Sequence, residues 1–393
     1  MKKVSFCSVL LGIILQGCQP SHDPATYQRI LNQLKAKTDL IELTANEGRA
    51  RLMISPELQG RIMTSTAQGL DGMGNGWFNE KILQPESGLM GGIGGEDRLW
   101  IGPLGSQYSF YYQQIKPLSE ENWAVPATMD AEPYQVVSAG EKQILMQKDM
   151  HLTNFIGTDF QLRIDRHIHI LEKEDIQRNL DVDLPLEIDF VAFESRHNLI
   201  NRDTLPITHE GGLVSIWSAG MFAGTDGSTV IIPLQGEGQK DDILQYMGKL
   251  GSDRFRIKDQ TLFFKADGKY RSKIGIPPAL APALYGCYTP EKQRLSIVQH
   301  QLPGDSLYAN SEVSMQESPY QGEVIPIYNN GPMSLQVAEE ASFFELESTS
   351  PLRPLSPGDS LTHFHAVYHF VGNQRELDDL AAQLLGTTLE PVF

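Results

Sequence analysis

Glu345 and Glu347 stand two residues apart in the run SFFELESTSP. On a strand, alternate side chains share a face, so the two carboxylates and Phe343 point one way and Phe344 and Leu346 the other. Strand rise sets the carboxylates ~7 Å apart. Like charges at that range raise the pKa of one of them, which suits a general acid or base working near neutrality. The competing reading is a solvated strand face. A second run, THFHAVYHF, puts His363, His365 and His369 on one face and Phe364, Ala366, Tyr368 and Phe370 on the other. The aromatic side reads as core. The His-x-His pair could line a groove, or bind zinc if Glu345 or Glu347 supplied a third ligand. A similar pair occurs at His167 and His169. The expectation is a site without a cofactor and with no metal ligand assigned, a zinc or calcium ion being the alternative.

Gly91, Gly92, Gly94 and Gly95 precede Glu96, Asp97, Arg98 and Trp100 in MGGIGGEDRLWIGPLG. The glycine spacing does not match a dinucleotide fingerprint, and no strand–helix context follows. Acidic residues, an arginine and a tryptophan side by side suit a sugar. Carboxylate and guanidinium bond its hydroxyls in a fork, and an indole packs on the apolar face of a pyranose. A tight turn with an internal Asp–Arg pair is the plainer alternative. Gly60-Arg61, in PELQGRIMTSTAQG, marks either a ligand-holding arginine or a close backbone approach with a surface ion pair.

These residues need elements to carry them. From Asp39 onward the apolar period is two: LIELTANEGRARLMISPELQGRIMTSTA reads as strand, turn, strand, strand. Similar runs recur at QILMQKDMHL, FQLRIDRHIHILE, LEIDFVAFES, STVIIPL, TLFFKA and QRLSIVQHQL, separated by Gly, Pro, Asn or Asp. No long amphipathic helix intervenes, so a parallel α/β sheet is not expected, and the pattern predicts a large antiparallel β-sandwich. Near the start, Tyr27, Ile30, Leu31 and Leu34 fall at helical spacing, with Asp23-Pro24 as the opening signal. Near the end, Leu377, Leu380, Ala381 and Leu384 predict a helix from Asn373 to Leu385, stopped by Gly386.

The 393 residues carry 32 basic and 49 acidic side chains, a formal charge of −17. That argues against nucleic acid or an anionic lipid surface as a partner, since both require clustered lysines and arginines. Met1-Lys2-Lys3, an apolar run from Val4 to Leu15, and Leu15-Gln16-Gly17-Cys18 read as an export signal ending in a lipobox. The run is about a dozen residues, too short to span a bilayer, which takes ~20. The predicted organisation is a signal peptide over 1–17 and a lipidated tether with a short helix over 18–38. A single β domain with its terminal helix follows over 39–386, then a tail over 387–393. Cys18 would be acylated and would hold the protein in the cell envelope, most readily at the outer membrane. Cys287 is then alone, so no intramolecular disulfide is expected.

Several segments resemble a known superfamily. SPELQGRIMTSTA is similar to the early Gly-Gly-Arg strand of the galactose-mutarotase-like (aldose 1-epimerase-like) proteins, and FFELESTSPLRPLSPGDSLTH to one of their late segments. GGEDRLWIGPLG, GLVSIWSAGMF, SKIGI and YNNGP together resemble a bacterial lipoprotein family of that superfamily, over roughly residues 40–372. The resemblance implies an all-β fold, a large antiparallel β-supersandwich with a short N-terminal and a C-terminal helix. It also implies a carbohydrate partner and epimerase-like chemistry, with a glutamate base and a histidine acid on opposite sides of the anomeric carbon. The superfamily's His-x-Tyr-Phe-Asn motif is absent. The nearest stretch is ESRHNLINR, with His197, Asn198 and Asn201. Glu345 or Glu347 is the candidate base, and His197 or His365 the candidate acid. Arg61, Trp77, Glu96, Asp97, Arg98, Trp100, Asn198 and His363 are the candidate sugar-holding residues. All should converge on one concave face. A non-catalytic glycan-binding lipoprotein and a structural envelope lipoprotein are the other two functions the residues allow.

Overall fold

The computed structural model describes residues 26–79, 93–112, 114, 116–130, 132–302, 304, 306–332 and 342–393. The signal segment, Cys18, Asp23-Pro24, Gly91 and Gly92 lie outside the described residues.

Among the described residues the strands form three antiparallel sheets, of ten, six and three strands. The predicted all-β sandwich is thus the observed architecture. In the ten-stranded sheet the spatial order is Phe255–Lys258, Thr261–Lys265, Thr229–Pro233, Leu284–Thr289, Arg294–His300, Ser360–Val371, Asp189–Asn201, Asp159–Ile170, Gln143–Thr153 and Gln135–Ala139. The six-stranded sheet runs Leu244–Gln245, Ser272–Ile276, Ile325–Asn329, Phe343–Thr349, Ser215–Ala223 and Arg98–Gly102. Ile41–Ala45, Ala50–Ser55 and Arg61–Thr66 form the third sheet, and an Ile62–Asp97 bridge joins it to the strand at Arg98.

Burial follows from these layers. Gln143–Thr153 and Asp159–Ile170 alternate between buried and wetter positions, with one face on the core and one toward water. Phe343–Thr349 and Arg98–Gly102 are buried almost throughout, because both faces of the six-stranded sheet are covered. Glu345 and Glu347 are therefore not on a solvated strand face: they are 6% and 0% exposed.

The main core lies between the sheets. A second packs the helix Gln374–Leu385 and the helix Lys173–Leu180 on the ten-stranded sheet through Leu377, Leu380, Ile176, Tyr368 and Phe370. The apolar stripe expected of the terminal helix is buried as read, with Asn373 capping its start and Gly386 left-handed at φ 65° at its end. The first helix, Tyr27–Lys35, buries the expected Tyr27, Ile30, Leu31 and Leu34. Its cap is Thr26, whose Oγ1 accepts from Arg29 N. The helix Lys173–Leu180 shows no long stripe in the sequence, since it buries only Ile176 and Leu180.

Candidate functional site

Strand periodicity divides the candidate residues into two groups. Ser348 and Glu347 are neighbours, so they face opposite ways. Ser348 points between the sheets, where its Oγ lies 2.8 Å from both His363 Nε2 and His365 Nδ1. Glu347 and Glu345 accordingly face away from the histidines. The same alternation separates Asp97, which meets Arg166 at 3.0 Å, from Arg98, which meets Glu345 at 2.9 Å.

The inward group is a buried polar seam. His369 Nε2 lies 2.8 Å from Glu96 Oε1, and its Nδ1 lies 2.8 Å from Ser296 Oγ. Glu96 also accepts from Ser65 Oγ at 2.6 Å. Arg166 donates to Gly60 O at 2.9 Å and lies 3.3 Å from His197 Nε2, while Ser195 hydrogen-bonds Asp97. Arg61 donates to Gly94 O at 2.6 Å and pairs with Asp130. Gly94 and Gly95 permit this approach: both have positive φ, and a Cβ on Gly95 would lie 2.6 Å from Arg61 Cδ. Arg61 is thus a buried structural arginine and not a surface ion pair. Burial, helped by Arg98, draws its pKa down to about 10. Burial also holds His365 down to about 3 and His197 well below its ordinary range, so both favour the neutral imidazole.

The outward group lines a cavity of about 330 Å³, within the ~300–1,000 Å³ range of ligand pockets. Its walls include Arg98, Trp100, Trp123, Trp217, Lys273 and Glu345. Register places them together: Trp100 pairs with Trp217, Tyr328 with Glu345, and Lys273 with Tyr328. Trp100 and Trp217 meet edge to face, 5.2 Å between centroids at 82°. Tyr111 stacks on Trp123 at 4.7 Å and 5°. The Arg98 guanidinium lies 3.9 Å over the Trp100 ring, and Lys273 Nζ lies 5.0 Å from Trp217. Glu347 sits beneath this surface, accepting from Trp217 Nε1 at 2.6 Å and lying 3.5 Å from Lys273 Nζ. Burial, reinforced by Glu345 and opposed by Lys273, pushes its carboxyl up to about 7.

One convergent face was expected, and the geometry gives another division. Arg98, Trp100 and Glu345 come together in the pocket, with Glu347 behind it. Arg61, Glu96, Asp97, His365 and His369 lie in the seam: Asp97 faces away from Arg98 by strand alternation, and Glu96, which precedes the strand after the positive-φ Gly94 and Gly95, turns to the same side as Asp97. His197, Asn198 and His363 line a separate cavity of about 340 Å³ with His167 and Arg196. Trp77 stacks on Phe343 at 4.6 Å, beside the strand that carries Glu345. A zinc site of His363, His365 and either glutamate is not assembled, since the carboxylates occupy the opposite face. Among the described residues no group of three His, Cys, Asp or Glu side chains is placed to hold a metal.

Sequence reasoning gave no role to Trp217, Lys273, Tyr328 or Trp123. Trp217 lies in GLVSIWSAGMF, Lys273 in SKIGI and Tyr328 in YNNGP. The available signals were a tryptophan among small strand residues and a lysine inside an apolar strand.

A family model described as "Family of unknown function (DUF6786)" matches residues 25–392, and the chain belongs to that family. No curated protein matches the chain. Among solved structures, it is similar to a candidate aldose 1-epimerase from Escherichia coli K12, with TM-score 0.53 and 12% identity over 84% of this chain and 98% of that one. It is also similar to a protein from Synechocystis sp. PCC 6803, with TM-score 0.50 and 11% identity over 86% of this chain and 97% of that one. At such identities the likeness establishes the galactose-mutarotase-like β-sandwich fold.

Proposed function

We propose that this DUF6786 member binds a carbohydrate in the pocket above the six-stranded sheet and acts on it by acid–base chemistry at Glu345. The observation that carries this reading is the Arg98–Glu345 pair, 2.9 Å apart and bordered by Trp100 and Trp217. Indoles supply an apolar platform for a pyranose ring, and the fork of guanidinium and carboxylate supplies directed bonds to hydroxyls. The likeness to a candidate aldose 1-epimerase supports the substrate class. In this reading Glu345 takes the proton from a sugar hydroxyl and returns it when the ring closes again. Glu347 sets the charge around Lys273. His197 and His365 do not serve as the acid: His365 is tied to Ser348 and His197 faces Arg166.

The same observation about the histidines favours a second reading, a glycan-binding protein without turnover. Ligand-observed NMR with a panel of free sugars, followed by anomer-exchange measurements on those that bind, separates the two. Exchange that is accelerated by the native chain and lost in Glu345→Gln, with binding retained, supports the enzyme. Binding without any acceleration supports the binder. No sugar bound at all sinks both.

The lipobox Leu15-Gln16-Gly17-Cys18 supports placing the domain outside the cytoplasm, anchored through acyl chains on Cys18 in the cell envelope, at the outer membrane. There it meets glycans.

A further inference from the structure

We infer that the sugar this pocket takes is an acidic one, bearing a carboxylate, sulfate or phosphate group, and that Lys273 receives the anionic group. The inference rests on the carbohydrate reading of the same pocket.

The pocket's charge runs against that of the chain. The protein as a whole is acidic, at −17, yet among the described residues the pocket wall holds three cations, Arg98, Arg271 and Lys273, and one carboxylate, Glu345. Glu345 is already matched to Arg98 at 2.9 Å. Lys273 is only 6% exposed and stands in the strand Ser272–Ile276, with its ammonium over the Trp217 ring. Its neighbouring carboxyl groups are Glu347, at 3.5 Å, and Glu323. Both are fully buried. Burial raises the carboxyl pKa of Glu347 to about 7 and raises that of Glu323 as well. Glu323 is also occupied by Ser311 and Tyr246. Neither of these buried carboxyl groups lines the cavity, whereas Lys273 does, so an anion entering the cavity meets the ammonium first.

The hydrogen-bond inventory leans the same way. Arg98 Nε and Trp100 Nε1, both on residues of the pocket wall, are buried without an acceptor in the protein. A neutral hexose presents hydroxyls that donate as readily as they accept. A carboxylate, sulfate or phosphate oxygen only accepts, and charge-assisted bonds to it are the stronger kind. Overall negative charge would repel an acidic sugar at long range, so the local lysine must supply the selectivity.

The test is calorimetric titration of the full chain with matched sugars: galactose against galacturonate, glucose against glucuronate and glucose 6-phosphate, and N-acetylglucosamine against its 6-sulfate. The expected result is at least about tenfold tighter binding of one acidic member than of its neutral parent. That margin should shrink as salt is added. It should be lost in Lys273→Gln and kept in Lys273→Arg. The arm that responds identifies the anionic group. Equal or tighter binding of the neutral parents would overturn the inference while leaving the carbohydrate site standing. Failure of every sugar, neutral and acidic, would remove the carbohydrate reading and this inference with it. Should Lys273→Gln not fold, the native chain's preference and its salt dependence decide the matter.

Discussion

Arg98 and Glu345 stand 247 positions apart in the chain and meet at 2.9 Å, one on the edge strand of the six-stranded sheet and the other two strands inward. The strand Ser215–Ala223 lies between them, and its small Ala219 pairs with both Arg98 and Glu347. That small residue leaves the space over which the guanidinium reaches the carboxylate. Removing one partner of a buried pair leaves the other charge uncompensated, at a typical cost of ~3–5 kcal/mol. Glu345→Leu and Arg98→Met should each lower the unfolding free energy obtained by urea titration by an amount in that range. The double variant should lose clearly less than the sum. Additive losses would mean that the two groups do not interact.

The indoles of the pocket report on occupancy. Trp123 is 36% exposed, while Trp100 and Trp217 are nearly buried. A bound sugar should change the tryptophan fluorescence of the native chain. Trp217→Phe removes the donor to Glu347 as well as the ring edge that meets Trp100, and should weaken sugar binding about tenfold or more. An unchanged affinity in a folded Trp217→Phe variant would place the sugar elsewhere.

Glu347 should leave a mark on stability as pH changes. Its carboxyl is raised from an ordinary 4.5 to about 7, chiefly by burial. The folded chain therefore holds this proton more tightly than the unfolded chain does. The resulting stability is present in full below about 4.5 and is lost as pH rises through about 7. Glu347→Gln stays neutral throughout and keeps an acceptor for Trp217. Unfolding of the two proteins at pH 5 and pH 8 should show the native chain losing roughly 2 kcal/mol relative to the variant across that interval. A constant difference would show that Glu347 titrates normally.

Asp97 and Arg166 are both fully buried in the seam, well removed in role from the pocket. Asp97→Ala strands Arg166 next to His197, and should cost ~3–5 kcal/mol in stability. The sugar affinity of the fraction that remains folded should be unchanged. A lost affinity with intact stability would assign Asp97 to the binding machinery.

Cys18 is the proposed anchor. Expression with an alkyne-labelled fatty acid should label the native chain, and Cys18→Ser should abolish the label and release the protein from the membrane fraction. Label retained in Cys18→Ser would mean that another residue carries the lipid.

Much of the scaffold was legible from residue order. A period of two across Ile41–Ala45, Gln143–Thr153 and Asp159–Ile170 names a half-buried antiparallel strand without reference to any partner. The stripes at Tyr27, Ile30, Leu31 and Leu34 and at Leu377, Leu380, Ala381 and Leu384 name helices in the same way. Residue type alone also picked out Arg98, Trp100 and Glu345. The helix Lys173–Leu180 escaped because two buried residues make no stripe, and Trp217 and Lys273 escaped because their strands are covered on both faces and show no alternation.

Strand periodicity says which residues share a face, and by itself it separates Asp97 from Arg98 and Glu347 from Ser348. It cannot say what the face meets. His363 and His365 were read as lining a groove or binding zinc, and the packing of one sheet on the other turned both toward Ser348 instead and buried them. Residue order left Glu345 and Glu347 open between an acid–base pair and a solvated strand face, and the residues Leu104, Trp123 and Val313 cover the side of the sheet where Glu345 lies. Local sequence determined the elements and the faces, because backbone geometry is set within a few residues. Only the tertiary structure decided which face became a seam and which a pocket, because those contacts join residues hundreds of positions apart.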